Sequence, residues 1–408
     1  MSLIKNIGVR KILDSRGSFT VEVSIEGGNG PAVKTLVPNS TSTGKHEVRA
    51  FPNGDVDAGV RAFNETSKAF IGMDPGDQAG IDAALHEVYG KALEKAGGNI
   101  CTGISISAAR LAAQDASMEL YRYISERYMA RHGIGLAIPR PIGNLIGGGL
   151  HSSNRMAIQE VLVSSGASTF LESAFLNACV HKKAGERLSK HGISSPGVNI
   201  EGAWSTGLSD MENIRLAKDL AKEVSMEKGV NVDVGIDFAA SEFYENGAYA
   251  YNSKRLSREQ QIAFAAGLSS DEGIIYLEDP LEEDDFDGFS ELTKLTSSRA
   301  LVVGDDLYTT NPERLRKGID KSSTNAVLIK VNQIGTLSDT FEVVRMAKRA
   351  GMSLVVSHRS RDTPDNFLAH LAVAFGSRYI KCGIVGGERV SKLNELARIE
   401  DIERHAKA

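Results

Sequence analysis

Six ionisable residues in the second half of the chain stand at the end of short apolar runs or just beyond them. From Glu278 onward, the intervals between them are 27, 25, 28 and 23 residues, which suits one strand and one helix each. In a barrel of such units, the carboxyl ends of the strands meet at the mouth where active sites are built. The spacing therefore predicts that the six side chains converge on one site. They are Asp237, Glu278, Asp305, Lys330, His358 and Lys381.

Three of these residues are carboxylic acids, which repel one another unless a cation neutralises them. Asp237, Glu278 and Asp305 offer oxygen ligands, with no cysteine or histidine between them. Such a ligand set favours Mg²⁺ or Mn²⁺ over zinc. Each acid taken alone is equally consistent with a helix N-cap. The three acids share their position at the end of a strand–helix unit with two lysines and a histidine. This shared position favours the metal site.

Lys330 lies inside an apolar run, residues 327–331, where an unpaired lysine is uncommon. One interpretation is a structural ion pair. The other is a catalytic base whose pKa is lowered by burial and by nearby cations. The residues alone leave both interpretations open.

The first third of the chain predicts a compact α+β domain, residues 1–132. Residues 20–25 alternate apolar and polar side chains, which is typical of a half-buried strand. A glycine-rich turn and a short strand at 32–37 follow, and residues 57–126 change to a helical pattern. The segment 131–141, rich in glycine and proline, marks the predicted boundary.

The remainder of the chain, residues 133–408, repeats short apolar runs between helical stretches, which predicts a parallel sheet. Over about 270 residues, the favoured closed form is a (β/α)8-type barrel. An open doubly wound sheet is the alternative, although no GxGxxG follows the early strands. The apolar runs are residues 232–236, 273–277, 300–303, 326–329 and 353–356.

The composition is that of an ordinary globular protein, with 41% hydrophobic and 24% charged residues. The formal net charge is -5, from 47 basic and 52 acidic side chains, and no long basic run is present. Nucleic acid and anionic membrane are therefore poor candidates for a partner. Three widely spaced cysteines, no apolar leader and no stretch long enough to span a membrane predict a reducing, cytoplasmic location.

Nine stretches, in the same order, carry a resemblance to the enolase family that runs nearly end to end. The first five are ILDSRGSFTVEV (12–23), STSTG (40–44), PRPIGNLIGGGLHSSNRMAIQE (139–160), IDFAASEFY (236–244) and LEDPLEEDDFDG (277–288). The other four are GDDLYTTNPERL (304–315), LIKVNQIGTLSDT (328–340), SHRSRDT (357–363) and GERVSKLNELARIE (387–400). The resemblance implies a small N-terminal domain capping a barrel, and a hydro-lyase that converts 2-phosphoglycerate to phosphoenolpyruvate with two Mg²⁺ per active site.

The resemblance also implies a role for individual residues. It assigns Lys330 as the base that takes the C2 proton and Glu201 as the acid that assists loss of the C3 hydroxyl. Asp237, Glu278 and Asp305 match ligands of the first metal, and Ser42 matches a ligand of the second. The remaining matches are substrate contacts: His151, Gln159 and Glu160 around the hydroxyl and phosphate, Arg359 and Ser360 at the phosphate, and Lys381 at the carboxylate. His358 is also predicted to bind the substrate. For Arg359, a salt bridge to a nearby acid is the structural alternative.

The sequence departs from the family pattern in places. The stretch around the predicted acid reads Ile200-Glu201-Gly202-Ala203-Trp204, so an aspartate and a second glycine are missing, and Gly147 stands where the family has asparagine. Ser40 and Thr41 replace a glycine and an alanine in the loop after the first strands. The ligand and catalytic positions are retained. The altered surroundings of Glu201 therefore bear on the dehydration half of the reaction.

Two other functions remain compatible with the residues. One is a related enzyme that removes a proton beside a different carboxylate, against which Arg359 and Ser360 argue. The other is a catalytically silent binding protein, against which the retained base, acid and ligands argue. The resemblance further implies a homodimer, or an oligomer of dimers, in which Glu22 and Arg398 pair across the interface.

Overall fold

Alternating apolar residues at the start of the chain form one face of a small antiparallel sheet in the computed structural model. In β2, the side chains of Val21, Val23 and Ile25 are fully buried. The strands are β1 (Asn6–Leu13), β2 (Phe19–Glu26) and β3 (Val33–Val37), with β2 in the centre. The structure describes residues 2–28, 30–41, 44–149, 156–190, 197–252, 254–296 and 299–406.

Four helices follow this sheet and complete the α+β domain. Helix α3 crosses the sheet closely, because Gly103 has no side chain: a Cβ there would lie 2.3 Å from a methyl carbon of Val23. The helices are α1 (Val56–Thr66), α2 (Gln78–Tyr89), α3 (Gly98–Asp115) and α4 (Leu120–Ile124).

The second part of the chain closes into a barrel of eight strands, which confirms the barrel and rules out the open sheet. One strand differs from an all-parallel (β/α)8 barrel, because β5 runs antiparallel to both β4 and β6. No crossover helix is needed between β4 and β5, since antiparallel neighbours can be joined by a loop. In order around the barrel, the strands are β4 (Arg140–Gly147), β5 (Glu160–Ser165), β6 (Val232–Asp237), β10 (Tyr276–Glu278), β11 (Leu301–Gly304), β12 (Ala326–Ile329), β13 (Ser353–Ser357) and β14 (Tyr379–Lys381).

Helices surround the barrel, and two of them lie between β5 and β6. A capping box of Ser209 and Glu212 begins α6, and Asn311 caps α9 ahead of Pro312. The helices are α5 (Phe170–Lys190), α6 (Asp210–Lys228), α7 (Arg258–Ser270), α8 (Phe286–Thr296), α9 (Pro312–Lys321), α10 (Val331–Ile334), α11 (Leu337–Arg349), α12 (Phe367–Ala374) and α13 (Gly387–His405). A small antiparallel sheet after β6 comprises β7 (Tyr244–Glu245), β8 (Ala248–Tyr251) and β9 (Lys254–Leu256).

An apolar cluster fills the barrel interior and leaves the mouth at the strand carboxyl ends to polar residues. Leu328, Val355 and Tyr379 belong to this cluster. Helix α10 begins directly after Lys330, so the lysine follows β12 rather than lying within it. Within the described ranges, no helix combines the length and the apolar character that crossing a membrane requires.

A buried ion pair joins the N-terminal domain to the loop beyond β13. Nη2 of Arg110, on α3, lies 2.6 Å from Oδ1 of Asp365, whose Oδ2 also accepts from the backbone N of Leu36 at 2.7 Å. Burial alone would raise the pKa of Asp365, but Arg110 outweighs it and holds that pKa below its ordinary value. The pair therefore fixes the N-terminal domain beside the loop that carries Arg359 and Ser360.

The Asp365→Asn variant is expected to lower the free energy of unfolding by about 3 kcal/mol near neutral pH, because it leaves a mostly buried guanidinium without its partner. The folded-state pKa of Asp365 lies below the unfolded one, so its contribution is complete above the unfolded value of about 3.9. That contribution is lost as the pH falls through the folded-state pKa of Asp365. The difference in unfolding free energy between the parent protein and Asp365→Asn should therefore shrink in acid. Urea unfolding at several pH values measures it.

Asp57→Asn provides the matched control, since it breaks an exposed pair in which Lys11 Nζ lies 2.7 Å from Asp57 Oδ1. A loss of no more than about 1 kcal/mol is expected there. Equal losses in the two variants, or a deficit at Asp365 that does not change with pH, would contradict the account.

Candidate active site

A polar cavity lies at the mouth of the barrel, where the strands end, and loops of the N-terminal domain reach into it. Ser40 and Glu47 come from that domain, and the other lining residues come from the barrel. Among the described residues, eight carboxylic acids line the cavity against three cationic side chains. The acids are Glu47, Glu160, Glu201, Asp237, Glu242, Asp279, Asp305 and Asp306, and the cations are Lys330, Arg359 and Lys381.

The predicted metal ligands lie at neighbouring strand ends. Asp237 ends β6 and pairs in register with Glu278, which ends β10, and Asp305 follows β11 directly. Tyr276 donates its hydroxyl to Oε2 of Glu278 at 2.6 Å. Burial and the charge of Asp237 raise the pKa of Glu278 well above its ordinary value. Short parallel strands therefore bring several carboxylates together in a place where water is scarce.

Lys381 bridges three of these carboxylates from the end of β14. Its Nζ lies 2.6 Å from Asp237 Oδ2, 2.8 Å from Glu278 Oε1 and 3.1 Å from Glu160 Oε2. Gln159 adds an amide hydrogen bond to Asp237 at 3.3 Å. Burial alone would lower the pKa of Lys381, but the three acids outweigh it and raise that pKa well above its ordinary value. The lysine therefore stays charged and holds the acids together.

Lys330 contacts the third predicted ligand, Asp305, through a direct ion pair. Gln333 donates to the other oxygen of Asp305 at 2.9 Å. Burial would lower the pKa of Lys330, but Asp305 outweighs burial and raises it. The ion pair that was one of the two interpretations of Lys330 is therefore present, and its role as the catalytic base stays a prediction.

A second acidic group adjoins the predicted ligands and was missed by the sequence analysis. Oxygen atoms of Asp279, Asp305 and Asp306 lie within 4.8 Å of one another. The two oxygens of Asp279 accept from the backbone N of Asp305 at 3.0 Å and of Asp306 at 2.7 Å. Burial and the neighbouring acids raise the pKa of both Asp279 and Asp306 well above ordinary values. The signal was present, because Asp279 follows Glu278 and Asp306 follows Asp305 directly.

These donors fit a hard divalent cation. They are all carboxylate oxygens, they outnumber the lysines and arginine that face them, and burial makes their mutual repulsion costly. Asp305 belongs both to the predicted set and to the observed group, so it is the residue best placed to contact such an ion.

Glu201 lies in the same cavity and is 4% exposed. Asn144, on β4, donates its side-chain amide to Oε2 of Glu201 at 2.6 Å and also to Glu160. Nε2 of His358 lies 3.5 Å from the same Glu201 oxygen. The structure thus brings together three residues that are predicted to contact the substrate, Glu160, Glu201 and His358, and it adds Asn144 to them.

His358 is kept neutral by its surroundings. The guanidinium of Arg389, on α13, lies 2.7 Å from Nδ1 and also binds Asp362 at 2.8 Å. Burial and Arg389 together lower the pKa of His358 well below its ordinary value. Since a guanidinium can only donate, Nδ1 must accept and the ring proton lies on Nε2.

The predicted phosphate contacts Arg359 and Ser360 meet the N-terminal domain. Arg359 Nη2 lies 2.9 Å from Glu47 Oε2, and Arg359 Nη1 donates to Asn332 at 3.2 Å. The hydroxyl of Ser360 accepts from the backbone N of Thr41 at 2.9 Å. The salt bridge that was the alternative for Arg359 is therefore present, and it ties the N-terminal loop to the cavity. The other two predicted residues, Ser42 and His151, lie outside the described residues.

Comparison with known proteins agrees with this architecture. The family model of the enolase N-terminal domain matches residues 4–124, and that of the enolase C-terminal TIM barrel domain matches residues 135–407. An enolase of Thermoplasma acidophilum is 50% identical over 401 residues, covering 98% of each chain. One of Picrophilus torridus is 48% identical over 403 residues, also covering 98% of each. One of Methanocorpusculum labreanum is 42% identical over 406 residues, covering 98% of this chain and 100% of its own. The chain belongs to the enolase family.

Proposed function

We propose that this chain catalyses the reversible loss of water from 2-phosphoglycerate to give phosphoenolpyruvate, in glycolysis and gluconeogenesis. The observation that carries the proposal is one cavity, in a chain of this family, that gathers Lys330, Glu201, Asp237, Asp305 and Arg359. Removing a proton beside a carboxylate needs a base, an acid for the leaving group and concentrated positive charge. Lys330 and Glu201 are the candidates for the base and the acid, and cations held by the carboxylates would supply the positive charge.

Lys330 and Glu201 divide the proton transfers between them. Lys330 takes the proton from C2, and the electrons of that bond pass into the carboxylate, which becomes doubly charged. These electrons then return to form the C2–C3 double bond as the bond from C3 to its hydroxyl breaks, and Glu201 gives the hydroxyl the proton with which it leaves as water. Lys330 accepts a proton only when neutral, so its contact with Asp305 has to weaken before the first step.

Positive charge in the cavity has to balance the charge that develops on the substrate. Lys381 supplies part of it and is assigned to the substrate carboxylate. Two Mg²⁺ ions, for which the resemblance assigns Asp237, Glu278, Asp305 and Ser42, would supply the rest and neutralise the ligating acids. The excess of carboxylates over cations in the cavity supports this assignment.

Arg359 and Ser360 are proposed to hold the phosphate. The planar guanidinium suits two phosphate oxygens at once. A phosphate there would compete with Glu47 for Arg359. Phosphate binding would therefore weaken the contact between Arg359 and the N-terminal loop that carries Glu47.

We also infer that the chain forms a homodimer, or an oligomer of dimers, through Glu22 and Arg398. Within one chain, Glu22 is bound by Arg10, with Nε and Nη2 each 2.7 Å from a carboxylate oxygen. Arg398 contacts Glu119 at 2.9 Å and Glu395 at 2.6 Å. A pair across an interface would join these charged clusters. The cytoplasmic location also stays a prediction.

Lys330→Ala and Glu201→Gln should separate the two proton transfers. The first variant is expected to lose both exchange of the C2 proton and phosphoenolpyruvate formation by about 100- to 10,000-fold, because it lacks the base. The second should keep the exchange and lose dehydration to a similar extent. Proton NMR in deuterated water follows the exchange, and ultraviolet absorbance follows the product.

Lys294→Ala, which removes an exposed lysine of α8, is the control and should change neither rate. Equal loss of exchange in Lys330→Ala and Glu201→Gln would show that the acid and base are wrongly divided.

Glu22→Arg is expected to shift the sedimentation profile toward the monomer, since it places two arginines opposite each other across the predicted interface. Glu26→Arg, at the exposed end of the same strand, should leave the profile unchanged. If Glu22→Arg folds and sediments like the parent protein, Glu22 and Arg398 do not pair across the interface.

A further inference from the structure

Glu201 stands at the tip of a tight turn in the acid loop, which we define as residues 198–206. The backbone N of Asn199 donates to the carbonyl of Ala203 at 2.7 Å, and that of Gly202 donates to Asn199 at 3.1 Å. Trp204 continues the loop along β4, because its N donates to Leu145 at 2.9 Å. The acid is therefore held by a turn and by backbone bonds, outside any helix or barrel strand.

On the barrel side, Asn199 supports the loop and explains one departure from the family pattern. Its Oδ1 accepts from the backbone N of Glu201 at 2.9 Å and of Ala203 at 3.0 Å. A Cβ on residue 147 would lie 2.0 Å from Nδ2 of Asn199. Gly147, where the family has asparagine, thus leaves the space that Asn199 fills.

On the outer side, helix α5 holds the loop through His181 and Trp204. Nε2 of His181 lies 2.7 Å from the carbonyl of Gly202, and Nε1 of Trp204 donates to the carbonyl of His181 at 2.8 Å. The two rings stack with centroids 5.0 Å apart. Gly185 permits this packing, since a Cβ there would lie 2.4 Å from the indole. Because a carbonyl only accepts, Nε2 of His181 carries the proton.

We propose that His181 and Trp204 are positioning residues for the acid Glu201, a role that rests on the proposed function. His181 fixes the carbonyl of the residue that follows the acid, and Trp204 fixes His181 in turn. His181 is 6% exposed, so water does not readily replace its hydrogen bond. We call the contacts of His181 and Trp204 with the acid loop the clamp. Lys330 lies at the end of β12, apart from this loop, so the clamp should affect dehydration and not the removal of the C2 proton.

The test compares two rates in His181→Ala. Phosphoenolpyruvate formation should fall by about 10- to 100-fold, since misplacing a catalytic group by about 1 Å costs that much. Exchange of the C2 proton should stay within about threefold, as the base is untouched. A merely structural role would lower both rates together, so their ratio identifies positioning.

Three further variants refine the comparison. His181→Gln can still donate near the Gly202 carbonyl and should recover part of the dehydration rate. Trp204→Phe loses one hydrogen bond and should cost about 2- to 10-fold in dehydration. Combined with His181→Ala, it should add little, because residues that act as a unit are not additive. Lys182→Ala, the exposed neighbour on α5, should behave like the parent protein.

Amide hydrogen exchange over residues 199–204 gives a second readout that does not need catalysis. It should quicken in His181→Ala and stay unchanged in Lys182→Ala. Failure of the parent protein to make phosphoenolpyruvate would contradict the proposed function. Amide hydrogen exchange in the loop would still show whether His181 holds it. Unchanged amide exchange, unchanged rates, or an equal fall in both rates would overturn the clamp. Should His181→Ala fail to fold, His181→Gln and Trp204→Phe decide by the same ratio.

Discussion

Repulsion between buried carboxylates at the barrel mouth is the constraint on which the rest of the structure depends. Strand register sets Glu278 beside Asp237, and Lys381 offsets part of their charge at 2.6 and 2.8 Å. The N-terminal domain closes over the same mouth through Glu47 and Arg359. Excluding water strengthens every charge interaction in the cavity. Burial therefore increases the repulsion between the carboxylates, and it equally increases their attraction to the cations that offset them.

Much of the fold follows from the pattern of apolar runs. The β-branched run at 326–329 is β12 as observed, whereas the run at 273–277 is displaced to Tyr276–Glu278, because a run alone does not show where pairing with a neighbour begins. The reversed direction of β5 was not predicted. Strand direction depends on how β4 and β5 are connected and not on which of their residues are apolar.

Five of the six residues predicted from the spacing of the strand ends line the cavity, because parallel strands deliver equivalent positions to one mouth, and the sixth, Glu278, contacts Lys381. Residues outside that spacing were missed, among them Asp279, Asn144 of β4, which contacts Glu201, and Arg389 of α13, which contacts His358. The sequence left Lys330 open between an ion pair and a base, since its contact with Asp305 is a matter of side-chain geometry. The contact of the loop around Glu201 with His181 was also missed, because His181 lies 20 residues earlier in sequence.

We propose that the crowded carboxylates serve a cation-dependent dehydration of a phosphorylated acid. Phosphoenolpyruvate formation from 2-phosphoglycerate, measured with a chelator and again after Mg²⁺ is added, tests this directly. No product is expected with the chelator, product is expected after Mg²⁺, and glycerate without its phosphate should not be converted. Equal product in the chelator, or conversion of the unphosphorylated acid in place of 2-phosphoglycerate, would contradict it.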